Sequence, residues 1–138
     1  MRWLVQTEQL TMEIEIDSAG TGDWHVGHPP DRRARAAGKR RGIDVRGQAR
    51  RVTTEDFDEF DYLIAMDQSN LDDLHRLAPH EEGRRKVALL RSFDPDSPPG
   101  AEVPDPYYGD GSGFETVLDI CESACHGLLQ HIRERHRL

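Results

Sequence analysis

The sequence predicts an α/β domain with a mostly parallel sheet, and three observations carry that expectation. Tyr62-Leu63-Ile64-Ala65-Met66 and Val87-Ala88-Leu89-Leu90 are short continuous apolar runs, the form taken by strands buried on both faces. A helical pattern with Leu71, Leu74 and Leu77 lies between them, and a long stripe from Phe114 through Val117, Leu118, Cys121, Cys125 and Leu128 to Ile132 closes the chain. Strands alternating with helices build a sheet whose ligands bind beyond the carboxyl ends of its strands.

In chain order, Trp3, Thr7 and Leu10, with Leu4 beside them, have the spacing of a short helix or the tail of one. Met12, Ile14 and Ile16 alternate with Glu13 and Glu15, which predicts a strand ending at Asp17. Ser18-Ala19-Gly20-Thr21-Gly22 is a loop of small residues, read either as a flexible turn or as a place where a ligand comes close. Trp24 follows on that loop, where it either packs down or lines a site. Pro29-Pro30-Asp31 opens a helix, Ala34 and Ala37 allow close packing, and Gly42 is its stop signal. Thr53 and Asp56 resemble a capping box leading into Phe57 and Phe60. Asp67 follows the first apolar run and Pro79 closes the helix after it. A Pro/Gly/Asp-rich loop from Asp94 to Gly113 precedes the last helix, and a loop of that length is usually functional.

With 138 residues the chain fits one domain able to bury a core without staples. A net charge of −8 would repel a phosphate backbone, so general nucleic-acid binding is not expected. The charge is uneven: residues 32–51 hold nine basic side chains against Asp44, whereas residues 52–138 carry a net −11. The basic block reads as a solvated helix face and the following loop, with attraction of anionic partners as the alternative. Cys121 and Cys125 are the only cysteines and sit on the apolar stripe, so they read as core side chains in a reducing cytoplasm. His126, His131 and His136 advance about 140° per step, a poor arrangement for a metal, and suit the charged helix surface. No apolar run is long enough for a membrane span or a signal peptide, which predicts a soluble intracellular protein.

One stretch concentrates chemistry: Pro104-Asp105-Pro106-Tyr107-Tyr108-Gly109. Two prolines fix φ on both sides of Asp105, so its carboxyl is presented by a stiff backbone, as a general acid requires. Tyr107 and Tyr108 offer flat walls with polar tips, suited to an aromatic substrate. A surface turn with two partly buried tyrosines would have the same composition.

From about Trp3 onward the chain resembles the low-molecular-weight protein-tyrosine phosphatases. The landmarks are Asp17-Ser18-Ala19-Gly20-Thr21, Gly27-His28-Pro29-Pro30-Asp31, Ala49-Arg50, Thr53-Thr54-Glu55-Asp56-Phe57, Phe60-Asp61-Tyr62, Met66-Asp67-Gln68-Ser69-Asn70-Leu71 and Asp105-Pro106-Tyr107-Tyr108-Gly109. The resemblance implies a three-layer, doubly wound sheet and a two-step hydrolysis through a cysteinyl-phosphate. It makes Asp105 the general acid and later base, Trp24, Tyr107 and Tyr108 the walls for the phosphotyrosine ring, and Ser18 a brace for the phosphate loop. The implied partner is a tyrosine-phosphorylated protein or small aryl phosphate, with a cognate tyrosine kinase as a candidate. Neither metal nor cofactor is required, and neither nucleic acid nor membrane is implied.

The family's Cys-x5-Arg phosphate loop does not occur in these residues: no cysteine precedes Cys121, and neither late cysteine has arginine at the required spacing. Gly47 also stands where family members often carry histidine. Arg2-Trp3-Leu4-Val5 cannot replace the first strand, because too few residues separate it from Met12 for a parallel crossover. The expectation is therefore a truncated chain without the first strand and the start of the first helix. It would have an empty slot between the Ile14 and Ile64 strands, be poorly stable, and be inactive. A catalytically dead pseudo-phosphatase acting as a binding module is the alternative. An anion-binding module using the Arg32–Arg51 block is a third.

Overall fold

The computed structural model describes residues 1–22, 26–106 and 112–138. Its elements run α1 (Arg2–Thr7), α2 (Arg32–Arg40), α3 (Asp56–Glu59), β1 (Leu63–Ala65), α4 (Gln68–Leu77), α5 (Glu81–Arg85), β2 (Val87–Leu89), a 3-10 turn (Leu90–Phe93) and α6 (Ser112–His136). The strands β1 and β2 are parallel, with Leu63, Ile64 and Ala65 opposite Val87, Ala88 and Leu89.

Strand alternation sends successive side chains to opposite faces and so divides the core in two. Leu63, Ala65 and Leu89 join Phe57 and Leu74 in a cluster under α3 and α4, against which Val52, Phe60, Leu71, Ala78 and Val87 pack. Tyr62 and Ile64 face the other way, onto a cluster of Leu90, Val103, Ala124, Leu128 and Ile132 carried largely by α6. The sheet thus has helices on both sides, the layered α/β arrangement the apolar runs predict.

The predicted strand over Met12–Ile16 does not form. Residues 11–13 make a turn, with the Ile14 amide donating to Leu10 O at 2.9 Å, and residues 14–19 belong to no strand or helix and form no ladder among the described residues. A strand is defined by its partner's hydrogen bonds, and alternation alone cannot supply one. Met12 is accordingly 92% exposed, while Ile14 still packs against the α6-side cluster, as Ile64 does. The sole described pairing in this region is a parallel bridge between Gly20 and Arg51. Helix α5, not expected from sequence, is capped by His80, whose Nδ1 accepts from the Gly83 amide at 2.8 Å.

Helix α2 starts where the Pro-Pro-Asp signal places it. The Asp31 carboxylate accepts from Arg33 N at 2.8 Å, and Gly42, at φ +73°, follows its end. The cysteines of α6 pack against the second cluster, as their position on the stripe predicts. Burial pushes the Cys121 thiol up to about 11, with the neighbouring Cys125 adding to the effect. The late histidines divide: His131 and His136 both approach Tyr62 edge-on with ring centroids 6.0 Å apart, so two of them pack on one aromatic despite their angular spacing. Among the described residues no group of His, Cys, Asp and Glu could hold a metal, and none of the described helices is long and apolar enough to cross a membrane.

Candidate active site

Asp105 lies just past the carboxyl end of β1, held there by its own loop. The buried Val103 donates its amide to Met66 O at 2.8 Å, two residues before the acid. One residue earlier, the Glu102 carboxylate accepts from Gln68 N at the start of α4 at 2.7 Å, and Arg91 donates to Glu102 O at 2.8 Å. After Asp105, Pro106 packs so closely on α6 that a Cβ at Gly113 would stand 3.1 Å from Pro106 Cβ. Between those anchors Pro104 and Asp105 are exposed. Asp105 is therefore an exposed residue on a backbone pinned on both sides.

The base of the loop is organised by Asp94, a buried carboxylate. It accepts from Asp96 N at 3.0 Å, Ser97 Oγ at 3.1 Å and Ser123 Oγ of α6 at 3.0 Å. The Asp96 amide, together with those hydroxyls, outweighs burial and holds the Asp94 carboxyl below its ordinary value. Sequence reasoning passed over this residue. Its signal was the Asp94-Pro95-Asp96-Ser97 spacing, an Asx-turn pattern at the head of the long loop.

Ser18 sits on a second anchored loop. Its amide donates to Asp17 Oδ1 at 2.8 Å, and Asp17 Oδ2 accepts from Arg50 Nε at 3.1 Å. Arg50 also forks onto Asp56, with Nη1 to Oδ2 at 2.9 Å and Nη2 to Oδ1 at 3.1 Å. Asp56, only 5% exposed, accepts in addition from Thr53 N at 2.8 Å, which is half of the predicted capping box. Burial alone would raise the Asp56 carboxyl, but Arg50 and the Thr53 amide reverse the sign and hold it below the ordinary value. Backbone bonds from Gly20 N to Arg50 O at 2.8 Å and from Val52 N to Gly20 O at 2.9 Å complete the clamp.

The predicted site residues thus fall into three groups. Asp105 and Ser18 lie on separately braced loops, and Ser18 spends its amide on Asp17. Trp24, Tyr107 and Tyr108 lie outside the described residues. Gly27 N donates to Ala49 O at 2.7 Å and Ala49 N to His28 O at 2.8 Å, which ties residues 27 and 28 to the Ala49-Arg50 landmark. Gly47, the departure from the family pattern, has φ +114°, a conformation that side-chain-bearing residues rarely adopt. Cys121 and Cys125 are half-buried on α6, packed against the cluster of Leu90, Val103, Ala124, Leu128 and Ile132.

A family model described as low molecular weight phosphotyrosine protein phosphatase matches residues 1–138. The chain belongs to that family. The human low molecular weight phosphotyrosine protein phosphatase is 40% identical over 130 residues, covering 94% of this chain and 81% of the relative. A low molecular weight protein-tyrosine-phosphatase of Streptomyces coelicolor is 44% identical over 123 residues, covering 88% and 75% respectively. Among solved structures, a protein tyrosine phosphatase from Entamoeba histolytica superposes with a TM-score of 0.91 at 39% identity, covering 99% of this chain and 86% of that one. YfkJ from Bacillus subtilis gives 0.85 at 35% identity, covering 97% and 82%. The low-molecular-weight phosphatase fold expected from the landmarks is thus the fold observed.

Proposed function

We propose that this chain carries the proton-transfer and substrate-gripping part of a protein-tyrosine phosphatase site, acting on tyrosine-phosphorylated proteins or small aryl phosphates. The observation that carries the reading is Asp105, exposed between two prolines on a loop pinned at Val103 and Pro106 in a member of this family. A cysteine thiolate attacks phosphorus as the aryl C–O–P bridge breaks at the P–O bond. Asp105 gives its proton to the departing phenolate oxygen. The Asp105 carboxylate then takes a proton from the water that attacks the phosphocysteine, releasing phosphate and restoring the thiolate. Trp24, Tyr107 and Tyr108 flank the ring, and Ser18, through the Asp17–Arg50–Asp56 clamp, braces the phosphate-holding loop. The chemistry calls for neither metal nor cofactor.

Turnover requires a Cys-x5-Arg segment, which these 138 residues do not contain. We therefore infer that these 138 residues alone do not hydrolyse phosphate esters, and that turnover needs a thiolate and an arginine supplied from outside them. The intact mass of the protein from its native source separates the readings. A mass larger by a strand, loop and half-helix supports an ordinary cysteine-dependent phosphatase. A mass matching this sequence favours the second reading, a pseudo-phosphatase that binds through the Asp105 loop. In the longer form, Asp105→Asn lowers hydrolysis of poor leaving groups far more than of activated aryl phosphates, by about a hundredfold or more. Equal losses on both would remove Asp105 from the acid role.

A further inference from the structure

Nine cations crowd residues 32–51, and the fold sorts eight of them. Arg33 clasps Asp31 and lies 4.8 Å over the Phe114 ring, Arg40 and Arg41 reach Glu115, Asp119 and Glu122 on α6, and Arg50 is held by Asp17 and Asp56. Arg46 pairs with Asp44 at 3.4 Å. The side chains of Arg32, Arg35 and Lys39 have no hydrogen-bond or ion-pair partner among the described residues, in a chain with a surplus of eight acids. These three are the cations that line a groove of about 500 Å³, whose other walls are Ala36, Gly42, Ile43, Asp44 and Val45.

The arrangement is specific to the face. Positions 32, 35, 36 and 39 recur at helical spacing, so the three cations form one row along α2 spanning about 10 Å. Ala36 lies within the row, and Ile43 and Val45 come from the segment that returns along the helix. The return is close because Gly38 admits it: a Cβ there would stand 2.6 Å from Val45 Cγ2 and 2.9 Å from Ile43 O. The groove is open along its length, which fits an extended occupant better than a small molecule needing enclosure on most sides. In an extended peptide, side chains on one face recur about every 7 Å, so two or three carboxylates would meet the row while an apolar side chain rests on Ala36, Ile43 and Val45.

We propose that this groove is a docking site for an acidic, extended polypeptide segment carrying an apolar residue among its acids. It is independent of the Asp105 chemistry, and binding alone tests it. A fluorescein-labelled decapeptide rich in Glu and Asp with one central Leu is titrated into the full chain at low and at physiological salt. The Arg32→Gln/Arg35→Gln/Lys39→Gln variant is titrated alongside a charge-matched control, Arg76→Gln/Arg84→Gln/Arg85→Gln. Saturable binding that salt weakens, that falls about tenfold or more in the groove variant and that persists in the control is the result expected. Equal losses in both variants would mean that net charge alone drives binding, and would overturn the site. Tighter competition by inositol hexakisphosphate or single-stranded DNA at the same three residues would overturn the peptide as occupant. No binding at low salt overturns the proposal outright.

Discussion

Arg50 joins two carboxylates that come from different parts of the chain, and its worth lies in what its loss would strand. Asp56 is 5% exposed, and without the guanidinium its acceptors would keep the Thr53 amide as a charged partner's poor substitute. Arg50→Met should therefore destabilise the chain by about 1–3 kcal/mol, the range for leaving a buried acceptor unsatisfied. The partial exposure of Arg50 keeps the loss below that of a fully buried pair. Urea titration measures it, and a loss within error would show that water replaces the arginine. The same residue illustrates what could be read from sequence. Asp17, Arg50 and Asp56 were each visible as landmarks, but a bond spanning 33 positions, as from Arg50 to Asp17, has no local periodicity to announce it. Asp105, by contrast, was legible because its prolines are its neighbours.

Among the elements, most of those with a strong local signal were found, whereas the short helix α5 and the fate of the Met12–Ile16 alternation were not. The apolar runs at Leu63–Ala65 and Val87–Leu89, the Asp31 cap of α2 and the stripe of α6 all carry their evidence locally. The alternation over Met12–Ile16 has the same look, yet forms no strand because hydrogen bonds from a neighbour decide it. Gly127, in the middle of α6, was also silent: glycine there costs helix stability relative to alanine, which signals a close approach. A Cβ at Gly127 would land on the Phe93 carbonyl, 2.8 Å from its carbon and 3.5 Å from Asp94 Cα. Gly127→Ala should lower stability by about 1–3 kcal/mol despite the gain in helix propensity, seen as a lower denaturant midpoint. An unchanged or higher midpoint would mean that the turn yields freely. Because Asp94 is the next residue and anchors the Asp105 loop, the variant should also perturb that loop.

For the molecule as a whole, folding is tied to a set of carboxylates. Partners hold Asp31, Asp56, Asp94 and Glu115 below their ordinary values, chiefly Arg33 for Asp31, Arg50 against the opposing burial for Asp56, the Asp96 amide for Asp94, and Arg40 with Arg41 for Glu115. A carboxyl depressed on folding contributes stability that is full above its unfolded value and lost as pH falls through its lower folded value. The reference values are 3.8 for the aspartates and 4.5 for the glutamate, so the loss begins near these and continues below them. Denaturant stability measured from about pH 6 to about pH 2 should be level at first and then fall. A profile still level at the acid end would contradict the ion-pair assignments. The α2–α6 contact should weaken in the same window, since Glu115 answers both Arg40 and Arg41.

The crossing of α6 over the 3-10 turn has a genetic consequence. The atoms that Gly127 admits are backbone atoms of Phe93 and Asp94, which no substitution at those positions removes. A selection for revertants of Gly127→Ala should therefore recover true reversion to glycine, or insertions and deletions that reshape the turn. Compensating side-chain exchanges at the contact itself should be absent. At this one helix position, the route by which the lineage can drift is closed from both partners.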